Sequence, residues 1–413
     1  MVDSIIVGQF VGSNALASVG ACGSLNFLFF SLSSGLALGI GVIVAQYFGA
    51  GDDKNVRKTI ASSIYVLSFA AILVSLTGVI FAPAILRFMK TPSEIIGFST
   101  VYLRTTCSGI IFIVSYNGIS AILRALGDSK TPLYFLIVSS IVNVVLDLVF
   151  VLCLGMGVFG VALATIISQF VSAVSCFIFA VKKNPYFRLT KSELTPHKKI
   201  IFMSVRLGLP IALQNSLIAV SCIVLQSVVN RFGATVVAAF TITGRVEQIV
   251  QQGFGSLQMA MSTYAGQNVG AGKIDRVKKG FHRAVIMVAV YSTVMLIVMY
   301  TLGRGIAHFF VDEQDVIAIA SRALRITSLA YFGLGMIYIP RGLLNGAGDT
   351  GFSMINGITE VIGRIGFAVL LTSIPAIGYW GAWMTNGLTW SITGIVCVIR
   401  YMSGVWQKKR ITK

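Results

Sequence analysis

The chain is poor in charge. Asp, Glu, Lys and Arg make up 11% of its 413 residues, whereas an ordinary soluble domain carries roughly 25%. No stretch has the composition of a separate soluble domain. Acidic residues are the scarcest, 14 against 32 basic ones. The six cysteines (Cys22, Cys107, Cys153, Cys176, Cys222, Cys397) stand singly with no C-x-x-C pair, which excludes a disulfide framework or a zinc site and leaves them as packing residues. His197, His282 and His308 have no ligand spacing, so no resident metal is expected. Gly49-Ala50-Gly51 and Gly270-Ala271-Gly272 lack the G-x-x-x-x-G-K-[ST] pattern and read as tight turns, so no nucleotide is expected to bind. With no spaced His/Glu site or nucleophile motif, the chain reads as a non-enzyme that needs no cofactor.

What the chain has instead is apolar surface: 56% hydrophobic residues and a mean hydropathy of +0.86. Runs near the ~20 residues that span ~30 Å of hydrocarbon recur along its length. They predict twelve spans at 1–10 (incomplete), 15–48, 55–82, 94–122, 131–154, 158–181, 207–231, 235–267, 275–303, 315–342, 351–373 and 378–402. A net charge of +18 raises the question of nucleic acid, and the positions of the charges answer it. Most Lys and Arg fall in alternate loops: Lys54, Arg57 and Lys58; Arg124 and Lys130; the segment Lys182 to Arg206; Lys273 to Arg283; Arg341; and Arg400 to Lys413. That is the positive-inside pattern, with the C-terminus cytoplasmic, and it argues against a nucleic-acid partner.

The sequence repeats itself at an offset of 221 residues. Gly49-Ala50-Gly51 with Val56-Arg57-Lys58 returns as Gly270-Ala271-Gly272 with Val277-Lys278-Lys279, Leu103-Arg104 as Leu324-Arg325, Gly127-Asp128 as Gly348-Asp349, and Gly157 with Gly160 as Gly378 with Gly381. The expected architecture is all-α and polytopic: two six-helix repeats related by a pseudo-two-fold axis along the membrane normal, with a cavity between the lobes. The boundaries read as an N-terminal lobe over 1–182, a connector over 183–206, a C-terminal lobe over 207–402 and a basic tail over 403–413. Subtracting 221 from the seventh span places the start of the first before residue 1. The first helix therefore reads as truncated, against the alternative of a naturally short one.

Ionised groups are costly in hydrocarbon and seldom tolerated without a role. Asp147 lies mid-span in SIVNVVLDLVFVLCL, with Asn143 one turn earlier on the same face. Asp3, on the incomplete first helix, is a second carboxylate. Together they suit a Na⁺ held by oxygen ligands or a proton on a desolvated carboxylate. The competing reading gives Asp147 a simple interhelical hydrogen bond. Glu360 and Arg364, four apart, read as an intrahelical ion pair, and Arg245 and Glu247, two apart, point to different faces. The eighth span carries Gln248, Gln251, Gln252 and Gln258 with Phe254, Met259, Met261 and Tyr264. Neutral polar groups beside aromatic and Met surface, joined by Glu247, suit a cavity for flat amphipathic compounds; interhelical packing is the alternative.

The motifs VDSIIVGQFVGSNALASVG, GLALGIGVIVAQYFGAGD, ILRALGDSKTP, GLPIALQ and GLLNGAGDT together resemble the multidrug and toxic compound extrusion (MATE) family, in its bacterial DinF-like branch, over essentially the whole chain. The resemblance implies a twelve-helix antiporter that exports organic cations and other xenobiotics in exchange for Na⁺ or H⁺. It also implies a first-lobe cation site on Asp3, Asn143, Asp147 and Thr165, the last resting on the resemblance alone. The expected protein is a monomeric, multi-pass plasma-membrane transporter working by alternating access. Two other readings remain open. A lipid-linked saccharide flippase needs several cationic side chains within the central cavity, whereas, with the other cations assigned to loops and span ends, only Arg245 and Arg364 count as within spans and Glu360 neutralises the latter. A non-transporting receptor or scaffold lacks the soluble docking domain it would be expected to carry.

Overall fold

The computed structural model describes residues 2–89 and 91–411, with the side chains of Val2, Ser4 and Ile5 left out. Met1 and Lys413, which bound the first span and the basic C-terminal segment in the sequence reading, lie outside the described residues. Fourteen α-helices account for nearly all of the described chain, and no strand occurs in it. In chain order they are α1 (Val2–Phe10), α2 (Ser13–Gly49), α3 (Asp53–Phe88), α4 (Ser93–Ser108), α5 (Ile110–Ala125), α6 (Lys130–Leu148) and α7 (Gly157–Lys183), then α8 (Lys198–Val229), α9 (Ala234–Gly270), α10 (Ile274–His308), α11 (Gln314–Ser328), α12 (Tyr331–Gly346), α13 (Gly351–Thr372) and α14 (Gly381–Met402). Among the described residues eight helices are long and apolar enough to cross a membrane, and counting each of two pairs bent at a short break as one span gives ten. The short α1 and the more polar α9 stand at the positions of the expected first and eighth spans.

The repeat extends to details of backbone. α2 and α9 have equivalent limits under the 221-residue offset, as do α5 and α12. The fourth span of each half is broken at the same place, by 44° between α4 and α5 and by 50° between α11 and α12. Gly51 and Gly272 both adopt φ +71°, and Gly127 and Gly348 adopt +97° and +93°. These are left-handed turns that glycine enters without a Cβ penalty. The helix pairings recur too: α3 with α4 and α5 and α6 with α7 in the first half, α10 with α11 and α12 and α13 with α14 in the second.

The chain divides into two compact units, Met1–Val44 with Asp52–Ala212, and Ala45–Gly51 with Leu213–Lys413. The division falls inside α8 and not in the 183–206 connector, and close backbone packing explains it. Within the first unit, Gly39 and Gly208 face each other so closely that a Cβ on Gly39 would lie 2.6 Å from the Gly208 nitrogen. The start of α8 is thereby held against α2. Within the second unit, a Cβ on Gly49 would enter the Gln267 carbonyl, and one on Gly270 would enter that of Gln46. The 221-residue offset exchanges these two contacts, so residues 45–51 belong with α9.

Two boundaries differ from the sequence reading. α8 starts at Lys198, because a helix need not stop where hydrocarbon does: its charged first turns continue an apolar helix into water. Arg341 was counted as a loop residue but lies within α12, only 6% exposed, with its guanidinium 4.9 Å from the Tyr338 ring. A charge near a span end was mistaken for the end itself.

Large apolar side chains point outward, as with Ile286, Val290 and Ile297 on α10. In water such a stripe would be costly, and lipid removes the cost.

Candidate functional site in the first unit

α1 supplies Asp3, α6 supplies Asn143 and Asp147, and α7 supplies Thr165. The first helix is fixed by Ile6 and Val7, which are buried in an apolar cluster with Tyr102, Leu103, Val151 and Val161. Within lipid such burial acts through van der Waals packing and not through removal from water, and the helix itself is required because its backbone groups have no water to bond. Asp3 is thereby carried to α7, where the Thr165 hydroxyl donates to Asp3 Oδ2 at 3.4 Å and to the Val161 carbonyl at 3.0 Å. The first of these bonds is at the outer limit of length.

Asp147 is the most exceptional group. Its exposure is 0%, and among the described residues neither carboxyl oxygen has a hydrogen-bond partner. Asp3 acts on it by charge and, once either carboxyl carries a proton, as a side-chain hydrogen-bond partner, while no Lys or Arg side chain acts on it. Tyr102 on α4 lies within electrostatic reach of both carboxylates. The amide nitrogen of Asn143, one turn below Asp147, is also buried without a partner. Buried carboxylate oxygens without donors are among the costliest arrangements in a protein interior. A proton would let one carboxyl donate to the other, and a cation would satisfy several oxygens together. α6 then widens into a π-helical turn over Val149–Cys153, a feature that tends to mark functional positions.

The four predicted residues thus come from three helices that pack on one another, with direct contact shown between Asp3 and Thr165. Sequence reasoning missed Tyr102 and the π turn. A phenol in an apolar span is ordinary, and no residue pattern announces a π turn.

The second unit holds a different set. Glu247 on α9 is 6% exposed, with Oε1 unpartnered and with Thr327 and Arg364 bearing on it. Arg364 pairs with Glu360 at 2.8 Å, the expected intrahelical pair, and also donates to the Ser221 hydroxyl. Tyr331 contributes another buried hydroxyl without a partner. Arg245 is exposed while Glu247 is buried, on different faces as expected. The glutamines are not sealed: Gln248 and Gln252 are exposed, Gln258 is half-buried, and Gln251 accepts a bond from the Tyr338 hydroxyl at 3.2 Å. Met259 and Tyr264 are each 38% exposed. Tyr264, sixteen residues from Gln248, is about 24 Å further along the helix axis and donates to the Arg276 carbonyl.

Comparison with known proteins gives a consistent result. The family model MatE matches residues 1–149 and 210–370. A probable multidrug resistance protein of Bacillus subtilis strain 168, YoeA, is 28% identical over 100% of this chain and 91% of its own length. A second from the same organism, YpnP, is 27% identical over 99% and 92%. A solved structure of MATE in the bent conformation superposes with a TM-score of 0.92 at 23% identity, covering 100% of this chain and 92% of that one.

Proposed function

Because the chain belongs to the MatE family, we propose that it is a secondary active efflux antiporter, expelling small organic compounds in exchange for an inward-moving Na⁺ or H⁺. The observation that carries the reading is Asp147, fully buried with both oxygens unpartnered beside a second carboxylate. It acts as the coupling group, with Asp3, Asn143 and Thr165 completing the pocket. A proton or Na⁺ that fills this pocket removes the cost of the unpaired charge, so the populations of two conformations come to depend on ion occupancy. If the ion and the compound favour different conformations, each drives the other across the membrane by alternating access. Gln248, Gln251, Gln252, Gln258, Glu247 and Met259 are the candidates for contact with the exported compound, whereas Tyr264 lies about 24 Å from Gln248 along α9 and lines the cavity before α10 instead. The working unit is one chain in the plasma membrane, with its C-terminus cytoplasmic.

The energetics fit the need. A membrane potential of 100 mV contributes about 2.3 kcal/mol per charge, and a tenfold ion gradient about 1.4 kcal/mol. For a neutral compound exchanged against one cation, the two terms sustain a gradient of roughly 500-fold. A monovalent cationic compound cancels the electrical term at one-for-one exchange and falls to about tenfold.

A test is efflux of a fluorescent cationic dye from proteoliposomes under a Na⁺ gradient alone and a pH gradient alone. One gradient is expected to drive dye against its own concentration. Equal, purely downhill movement under both would overturn the antiport reading. A second reading, a lipid-linked saccharide flippase, gains from buried Arg341, whose Nε lacks a partner among the described residues; competition of dye efflux by an undecaprenyl pyrophosphate lipid would favour it.

A further inference from the structure

The loop joining α9 to α10 borders a cavity of about 460 Å³, lined by Tyr264, Asn268, Lys273, Arg276, Lys279 and Arg283 among others. Four of these side chains are cationic, and among the described residues none of the four forms an ion pair. The wall is organised. The Tyr264 hydroxyl donates to the Arg276 carbonyl at 3.0 Å, the Asn268 amide donates to the Tyr264 carbonyl at 2.8 Å, and the Tyr264 ring takes the space that a Cβ on Gly280 would need.

The other repeat serves as an internal control. The 221-residue offset puts Asp52, Asn55, Lys58 and Ser62 at the positions of Lys273, Arg276, Lys279 and Arg283. Asp52 caps its helix, accepting from the Asn55 backbone at 3.1 Å. The connector then lies over that end of α3: Glu193 pairs with Arg57 at 2.6 Å, Tyr186 donates to Asp53, and the His197 backbone donates to Ser62. In the second unit the capping acid is replaced by Lys273, which makes no side-chain cap. Asp275 is the acidic side chain in the first turn of α10, against Lys273, Arg276, Lys279 and Arg283 around the cavity, so the balance at this helix start is basic. Lys58 already stands at the position of Lys279, so the second repeat adds three cations, Lys273, Arg276 and Arg283, and all four line one cavity.

We propose that this cavity binds a phosphate-bearing anion, either the headgroup of an anionic phospholipid at the membrane surface or free phosphate. Arg276 and Arg283 supply planar donor forks for the phosphoryl oxygens, and Lys273 and Lys279 supply compact charges. The experiment uses the full-length protein purified in neutral detergent, with native mass spectrometry reading adducts from an equimolar mixture of phosphatidylglycerol and phosphatidylcholine, and separately from inorganic phosphate. The expected result is selective retention of phosphatidylglycerol, lost in an Arg276→Gln, Lys279→Gln variant and kept in a control changing exposed Lys198 and Lys199 to Gln. It is also kept in the charge-preserving exchange Arg276→Lys, Lys279→Arg, which guards against a folding artefact. Retention of inorganic phosphate with the same variant pattern supports the site and assigns the free anion as its source. Equal behaviour of the double variant and the control, or no preference for phosphatidylglycerol and no phosphate adduct, would overturn the proposal.

Discussion

The two halves share one backbone plan and differ in whether buried carboxylates are met by a buried guanidinium. At the positions of Asp3, Asn143, Asp147 and Thr165 the second half carries Val224, Arg364, Ala368 and Asn386. The first half therefore encloses two carboxylates with no guanidinium, and the second encloses Glu360 with its own Arg364 at 2.8 Å. A buried charge that is paired within the chain is satisfied permanently. One left unpaired is open to an ion that comes and goes. At these equivalent positions the fold thus provides one paired site, Glu360 with Arg364, and one unpaired site around Asp147, and the proposed coupling belongs to the latter, although the second half also holds Glu247 with Oε1 unpartnered.

The largest effect is expected from moving the second half's solution into the first. Asn143→Arg sets a guanidinium one turn from Asp147, repeating the Glu360/Arg364 spacing. Ion-driven efflux should fall more than about tenfold while the helices remain folded, since a built-in cation supplants the exchangeable one. Dye efflux together with circular dichroism measures both, and unchanged gradient-driven transport would break the comparison. The converse change, Glu360→Gln, strips Arg364 of its partner in the interior. It should destabilise the second unit by about 3–5 kcal/mol, the usual cost of orphaning one member of a buried pair, visible as a lowered thermal midpoint in detergent.

A smaller effect is expected where the repeats contact each other through glycine. Gly270→Ala drives a methyl into the Gln46 carbonyl, and Gly49→Ala meets Gln267 in the same way. Each should cost about 1–3 kcal/mol by overpacking, and near-equal losses in thermal stability would sharpen the equivalence of the two sites. The smallest effect concerns the connector. Arg57 holds the exposed Glu193 carboxyl down to about 2 from an ordinary 4.5. The depressed value means the tether is fully formed above about 4.5 and is lost only as pH falls through about 2. A spin label at Lys191 should stay immobile at pH 3.5 and loosen there in Arg57→Gln.

Legibility followed the physics of each signal. Spans are readable because hydrocarbon demands long apolar runs, and the run over 235–267 that became α9 is one of them although it is polar for a span. The breaks at Gly109 and near Ala330 are not readable, since two short apolar helices in a row have the same hydropathy as one long helix. Asp147 stood out as a lone charge in a span. Tyr102 and Tyr331 did not, because a phenol becomes informative only once its surroundings are known. The basic loop before α10 was read as topology, and its cavity emerged only from folded side chains.

The most direct test of the account sets one carboxylate from each half side by side. Asp147→Asn and Glu247→Gln are reconstituted separately, and dye efflux is measured with and without the driving ion gradient. The account predicts that Asp147→Asn loses all response to the gradient, whereas Glu247→Gln keeps it even if its dye affinity shifts. Gradient-driven efflux that survives Asp147→Asn and vanishes in Glu247→Gln would place coupling in the second half and contradict it.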